Sequence, residues 1–201
     1  MQRGLNITAI IMITLVIASC ASTPVNRTDI VGVWKDDNYD KKLSNLLIIS
    51  LADELGIREK AEALVVGKFN KIGLRATASS DIMPADEEVT RETVKKAIRG
   101  KKFDGVLVSR LLSVDRSVTY SPPEPDTTID NSFSRVGPNA PTPGYTQHHT
   151  VATVKIDLYD VASKHLVWSI TASTFNYENV TDLINTLSDT VIQNLQAGKF
   201  I

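Results

Sequence analysis

The sequence predicts an α+β fold, a two-layer sandwich in which a mixed sheet carries its helices mainly on one face. Two observations predict it. Apolar or alternating segments indicate strands, and stripes of apolar residues at helical spacing indicate three helices, in the order β-α-β-α-β-β-β-α. Helices segregated on one face of such a sheet would bury every apolar stripe.

The first strand and helix are predicted by two different patterns. Residues 46–52 are apolar almost throughout, which is typical of a strand covered on both faces. The following helix carries one apolar stripe: Ile57, Ala61, Leu64, Val65, Phe69 and Ile72. Arg58 and Glu62 are four positions apart, and we expect a weak, exposed ion pair between them. Gly73 is expected to end the helix in a left-handed conformation.

The middle of the chain predicts a second strand and a second helix. Residues 74–79 form the strand, and Thr90 is placed to cap a helix that Gly100 ends. Basic residues cluster towards the end of this helix: Lys95, Lys96, Arg99, Lys101 and Lys102. A solvated end that matches the helix dipole explains this cluster better than an anion site does.

The second half predicts three strands and a helix. A long strand opens at Phe103 and is expected to reach Tyr120. Residues 151–173 alternate between apolar and polar positions, which predicts a hairpin with Trp168 on its buried face. Asn179 is expected to cap the last helix and Gly198 to close it. The apolar stripe of this helix is Val180, Leu183, Ile184, Leu187, Val191, Ile192 and Leu195.

A proline-rich segment separates these strands. Residues 121–147 hold six of the chain's eight prolines, which excludes a regular helix or a central strand. A loop of this length is usually functional or disordered. Its polar composition favours disorder.

The N-terminus has the pattern of an export signal. Residues 1–19 combine a basic start, an apolar core of about a dozen residues and small residues before Cys20. The core is shorter than the roughly 20 residues that a membrane-spanning helix needs. Residues 17–20 resemble the lipobox of bacterial lipoproteins, which implies that the signal is cut before Cys20 and that Cys20 carries a lipid. The next residue, Ala21, favours the outer membrane by the same resemblance.

The predicted organisation is therefore a signal peptide (1–19), a lipidated polar tether (20–29) and one periplasmic domain (30–201). The chain has 22 Lys and Arg against 23 Asp and Glu, a balance that argues against nucleic acid as a partner. Cys20 is the only cysteine, so no intrachain disulfide is possible.

A search for catalytic and metal-binding patterns finds none. The motifs of phosphate-binding loops, zinc proteases and serine hydrolases are missing from the sequence, and we expect no catalytic residue, metal or cofactor. His148 and His149 are neighbours in an extended segment and would point to opposite faces, which makes a poor chelator. His165 stands alone. Four aspartates lie at predicted strand ends and turns, where Asp is ordinarily structural: Asp104, Asp115, Asp157 and Asp160.

Two aromatic residues precede the first long apolar run. Residues 30–34 form a short apolar run that would be either a first strand or an extended arm. Trp34 and Tyr39 stand among Lys and Asp residues. They would either dock a partner or pack this part of the chain against the domain, and packing is the commoner use of aromatics.

Several segments also carry a resemblance to a known family: Trp34-Lys35-Asp36, the helix with Arg58 and Glu62, Gly73-Leu74, Phe103-Asp104-Gly105-Val106-Leu107-Val108, Leu158-Tyr159-Asp160 and Leu166-Val167-Trp168. Over residues 30–201 the chain resembles bacterial outer-membrane lipoproteins of an uncharacterised DUF4136-like family. These are similar in architecture to the N-terminal domain of TolB, the curli secretion lipoprotein and the penicillin-binding-protein activator lipoproteins. The resemblance implies the fold and supplies no catalytic residue.

Three functions are open at this point. The leading hypothesis is a non-enzymatic protein-interaction module, anchored in the outer membrane through the lipid on Cys20, with an envelope protein as its partner. The second is an envelope lipoprotein that binds a small molecule or a glycan, with residues 121–147 as a lid. The third is an enzyme whose site matches no familiar motif.

Overall fold

The computed structural model describes residues 27–52, 55–84, 87–121 and 145–201 of the chain. In these ranges it forms six strands and three helices: β1 (Arg27–Lys35), β2 (Asn45–Leu51), α1 (Leu55–Lys71), β3 (Arg75–Ala78), α2 (Arg91–Ile98), β4 (Gly105–Ser121), β5 (Tyr145–Asp160), β6 (Leu166–Phe175) and α3 (Val180–Ala197). A short 3₁₀ turn, Ser79–Asp81, follows β3.

The six strands make one mixed sheet with the order β1-β6-β5-β4-β2-β3. β2 is parallel to both β3 and β4, and the other neighbouring strands are antiparallel. This arrangement confirms the predicted α+β fold. β1 comes before the predicted order of strands and helices, which starts with the strand at residues 46–52. It begins at Arg27, so residues 27–29 belong to the sheet and not to the tether. Residues 1–26 lie outside the described ranges.

The strand β2 is buried on both faces, as its apolar run predicts. Leu46 and Ile48 belong to the main core, which α1 and α3 cover. Leu47 and Ile49 pack on the opposite face with Val106 and with apolar residues of α2. Two of the three helices therefore lie on one face of the sheet. None of the helices in the described ranges is long and apolar enough to span a membrane.

The main core is centred on the predicted hairpin. Trp168 is 2 % exposed and packs in this core with Leu158 and Ile170, which confirms the predicted inner face. Gly105, at the start of β4, is required by the same packing. A Cβ atom at this position would lie 2.7 Å from Leu46 Cδ2, so a larger residue would displace the core.

The ends of the helices follow the predicted glycines with one exception. Gly73 and Gly100 have φ angles of 83° and 76°, the left-handed conformation expected of them. Gly198 caps α3 with φ −76°, and the left-handed residue is instead Lys199, with φ 62°.

The helix α1 differs from the prediction on its buried side. The side chains of Arg58 and Glu62 are only 6 % and 0 % exposed, so the expectation of an exposed pair is wrong. Ile72, assigned to the apolar stripe, is 44 % exposed. The helix therefore turns a charged pair towards the sheet, while Ile72 lies just after the helix end and outside the core.

Polar groups of the sheet explain this orientation. Glu62 Oε1 accepts hydrogen bonds from the backbone N–H of Ser50 at 2.9 Å and from the Ser79 hydroxyl at 2.7 Å. Glu62 Oε2 accepts one from the backbone N–H of Ser80 at 2.8 Å. A buried carboxylate with this many donors is compensated for its loss of water.

The strands β4 and β5 extend well beyond the rest of the sheet. β2 pairs with β4 only as far as Arg110, and β6 pairs with β5 only from Val151 onwards. The β4–β5 pairing continues to the pair Ser121 and Tyr145. We call residues 111–121 and 145–150 the ribbon. Residues 121 and 145–147 are thus strand and not loop, and residues 122–144 lie outside the described ranges.

Candidate functional surfaces

The strand β1 is an edge of the sheet with exposed apolar side chains. It pairs with β6 on its inner side, and it is the outermost of the described strands. Four large side chains are 44 to 65 % exposed: Ile30, Val31, Val33 and Trp34. The outer side of such a strand offers backbone N–H and C=O groups to another strand.

The two aromatic residues Trp34 and Tyr39 lie in different surroundings. The Tyr39 ring stacks on Phe200 with 5.9 Å between ring centroids, and its hydroxyl donates a hydrogen bond to Asp160 Oδ1 at 3.1 Å. Trp34 is 49 % exposed on the edge strand. Tyr39 therefore packs against the domain, whereas Trp34 is free to contact a partner.

A second surface is an open cleft of about 1190 Å³ between α1 and α3. Its wall residues include Ile57 and Val65 from α1 and Leu183 and Ile184 from α3, and its floor is formed by the central strands. Leu111 and Val114 also line it, so the apolar lining continues onto the ribbon. The volume exceeds the roughly 300–1000 Å³ of ordinary ligand sites, and the cleft is open to solvent.

A bulge at the start of the ribbon decides which side chains face this cleft. The pairing with β5 skips Leu112, which is an extra residue between Leu111 and Ser113. The skip shifts the alternation of side chains by one position. The helix side of the ribbon consequently carries Leu111, Val114, Arg116, Val118 and Tyr120, while Ser113, Asp115, Ser117 and Thr119 lie on the other side.

The base of the ribbon is joined to the end of β6 by Asn176. Its backbone N–H donates a hydrogen bond to the Thr150 carbonyl at 2.8 Å, and its φ of 53° is a left-handed conformation that Asn tolerates. Its Oδ1 atom is buried and accepts no hydrogen bond from the described residues. Asn176 lines a recess of about 260 Å³ together with His148, His149 and Tyr177.

The four aspartates considered for acid–base chemistry accept local hydrogen bonds. Asp104 accepts from the backbone N–H of Ser44 at 2.7 Å and of Asn45 at 2.9 Å. Two others accept from hydroxyl groups: Asp157 from Ser169 at 2.6 Å and Asp115 from Ser113 at 3.0 Å. These contacts connect strand ends and neighbouring strands, which is a structural use of the carboxylates.

The pKa of Asp160 is lowered in the folded protein. Burial acts to raise its pKa, but the hydrogen bonds donated by Ser163 and by the Tyr39 hydroxyl outweigh burial and lower it below the ordinary value. The Ser163 backbone N–H lies 2.6 Å from Asp160 Oδ2. Burial and the Asp160 charge raise the pKa of Tyr39 above its ordinary value. This pair holds the β5–β6 turn against the segment that follows β1.

The histidines and the basic cluster lie in separate places. His148 and His149 pair with Val118 and Ser117 in the ribbon, so they belong to opposite faces, and His165 lies at the far end of the hairpin. In the part of the chain that the structure describes, no group of three His, Cys, Asp or Glu side chains is arranged to hold a metal ion. The basic residues near the end of α2 are exposed, and Lys96 lies 3.5 Å from Glu87.

Sequence reasoning missed the bulge and the exposed edge. The signal for the bulge was available, because apolar residues at Leu111, Val114, Val118 and Tyr120 change phase once between the first two. For the edge strand the sequence signal was limited to the short apolar run at residues 30–34. Whether a strand lies at an edge depends on the order of the strands in the sheet and not on its composition.

Of three comparisons with known proteins, one gives matches, which are solved structures. No family model matches the chain, and no curated protein matches it. Among solved structures it is similar to the PelC dodecamer from Paraburkholderia phytofirmans, with 13 % identity, a TM-score of 0.48 and coverage of 82 % of this chain and 96 % of that one. A variant of the same PelC dodecamer gives the same identity and TM-score, with 98 % of its chain covered.

Proposed function

We propose that the chain is a lipid-anchored, non-enzymatic interaction module of the bacterial outer membrane, held by a lipid on Cys20 and acting in the assembly or maintenance of the cell envelope. The observation that supports this proposal best is the exposed edge strand β1. Its apolar side chains and its outer backbone groups, which pair with no strand in the described ranges, suit an extended segment of an envelope protein.

Two features of β1 favour a protein as the occupant. First, a pairing strand would bury Val31, Val33 and Trp34 and satisfy the backbone groups at the same time. Second, β1 starts only seven residues after Cys20, so this edge stays close to the membrane in which the partner would be found. The charged residues of β1 are Arg27, Asp29 and Lys35, and they leave residues 30–34 without a charge.

Site-specific crosslinking in cell envelopes tests the proposal. A photoreactive amino acid at Val31 or Val33 is expected to capture the same membrane or periplasmic protein. The same amino acid at Ile72, which is similarly exposed on the far side of α1, is the matched control and is expected not to capture it. Val33→Lys in the chain labelled at Val31 should abolish capture, because a charge on an edge strand opposes strand pairing.

Two outcomes would contradict this assignment. Equal capture from β1 and from Ile72 would mean that β1 has no special role. Capture that survives Val33→Lys but disappears with Ile72→Lys would move the partner surface to α1.

A second function is favoured by the cleft and the recess beside it. The cleft offers an apolar surface, and Asn176 Oδ1 offers a hydrogen-bond acceptor next to Tyr177, which lines both spaces. An amphiphilic small molecule with a donor group fits this combination. Thermal unfolding in the presence of fatty acids and fatty alcohols tests it, with Asn176→Asp and Leu183→Asp as variants. Replacing residues 122–144 by Asn-Gly would show whether they act as a lid over the ligand.

A further inference from the structure

The anchored end and the ribbon lie at the same end of the sheet. Arg27 pairs with Phe175, Phe175 with Val151, and Val151 with Asp115. These four residues form one row across four strands. Of the described strands, only β4 and β5 continue beyond the row, as the ribbon. The chain leading back to Cys20 leaves β1 on this same side, because β1 is antiparallel to β6.

The ribbon and the segment between Cys20 and Arg27 can span similar distances. From Val151 to Tyr145 the ribbon extends six residues, or about 20 Å at the usual rise of a strand. From Arg27 to Cys20 the chain has seven residues, which span at most about 25 Å. A lipid on Cys20 would therefore hold this end of the sheet within reach of the membrane surface, and the ribbon is long enough to bridge the gap.

The outer ribbon has the composition of a membrane interface. Residues 117–121 and 145–150 contain no Asp, Glu, Lys or Arg, in a chain of which 22 % is charged. Val118, Tyr120 and Tyr145 are 63, 63 and 54 % exposed there. Tyr has an apolar ring and a polar hydroxyl, and it is enriched where lipid headgroups meet the acyl chains.

We propose that the end of the outer ribbon enters the headgroup layer of the membrane that holds the lipid on Cys20, with Val118 and Tyr120 on one face and Tyr145 on the other as its contacts. This inference rests on the proposed lipid anchor. Arg116, on the same side as Val118 and Tyr120, lies one pair further in and faces the phosphate layer.

A fluorescence experiment on the lipidated full chain tests the contact. Acylation uses the only native thiol, so one new cysteine can be labelled alone. The probe, an environment-sensitive dye, is placed at Val118→Cys or Tyr120→Cys, and in the control at Ala162→Cys, which is exposed in the turn at the opposite end of β5. The protein is reconstituted in vesicles of phosphatidylethanolamine and phosphatidylglycerol, with and without a quencher attached to the lipid headgroup.

The expected result is a blue shift and several-fold quenching at positions 118 and 120, and neither change at position 162. Vesicle flotation separates the two proposals. If the chain floats and all three probes remain in water, the anchor stands and the ribbon contact is refuted. If the chain does not float, the anchor fails and the ribbon inference fails with it. A blue shift without lipid quenching would mean that protein covers the ribbon, and would also overturn the proposal.

Discussion

Arg58 donates a hydrogen bond from Nε to Glu62 Oε1 at 3.2 Å while both side chains are buried between α1 and the sheet. The guanidinium also reaches the Ser79 hydroxyl, 2.8 Å from Nη2. Glu62 thus binds one turn of α1, the end of β2 and the turn after β3 to each other. The pair therefore connects these elements and is not an exposed ion pair on a helix surface.

Removing Glu62 is expected to destabilise the fold strongly. Glu62→Ala leaves the Arg58 charge buried without its partner, a loss that typically costs about 3–5 kcal/mol. Urea unfolding measures it. Glu59→Ala, exposed on the same helix, is the control and should change the free energy of unfolding by no more than about 0.5 kcal/mol. Equal effects of the two substitutions would show that the buried network contributes nothing.

Asp160 is expected to make the fold sensitive to acid. Its pKa is lowered in the folded protein, so its contribution to stability is fully present above the unfolded value, about 3.9, and is lost as the pH falls through the folded value. Asp160→Asn should therefore reduce stability at pH 7 more than at pH 3. Urea unfolding across this range tests it, with Asp37→Asn as an exposed control. A stability difference that does not narrow in acid would contradict the prediction.

The two tryptophans are expected to respond very differently to truncation. Trp168→Ala should cost about 3–5 kcal/mol, the range for a large aromatic side chain removed from a core. Trp34→Ala, at the exposed edge, should cost about 1 kcal/mol or less. Thermal or urea unfolding of both variants measures the contrast, and a small effect at Trp168 would mean that the hairpin presents its other face to the core.

The proposed anchor depends on one atom, the sulfur of Cys20. Cys20→Ser should abolish lipidation and release the protein from membranes, because the lipid is the proposed means of attachment. Fractionation of cells and mass spectrometry of the intact protein measure this. A variant that stays in the membrane pellet after a salt wash would refute lipid anchoring as the means of attachment.

The sequence was sufficient for features that depend on local patterns. The apolar run of β2, the alternation around Trp168 and the caps at Thr90 and Asn179 each carry their own signal, and the structure confirms them. Asn179, for example, accepts a hydrogen bond from the backbone N–H of Asp182 at 3.1 Å.

The sequence was insufficient where a residue's surroundings come from distant parts of the chain. Arg58 and Glu62 have the spacing of a surface pair, and only the polar groups of β2 and the turn after β3 make burial favourable. Likewise, nothing in the residues of β1 states that β6 is its neighbour on one side and that no other described strand pairs with its outer side. The candidate surfaces depend on this long-range information.

The extra residue at Leu112 has a consequence for how this surface can change. Deleting this one residue would leave Leu111 opposite Val154 and Ser113 opposite Thr153, so every outer side chain of β4 would keep its face. The deletion would instead remove the bend and the extra right-handed twist that a bulge gives to a strand. The ribbon would then leave the domain in a different direction while its two faces stayed the same.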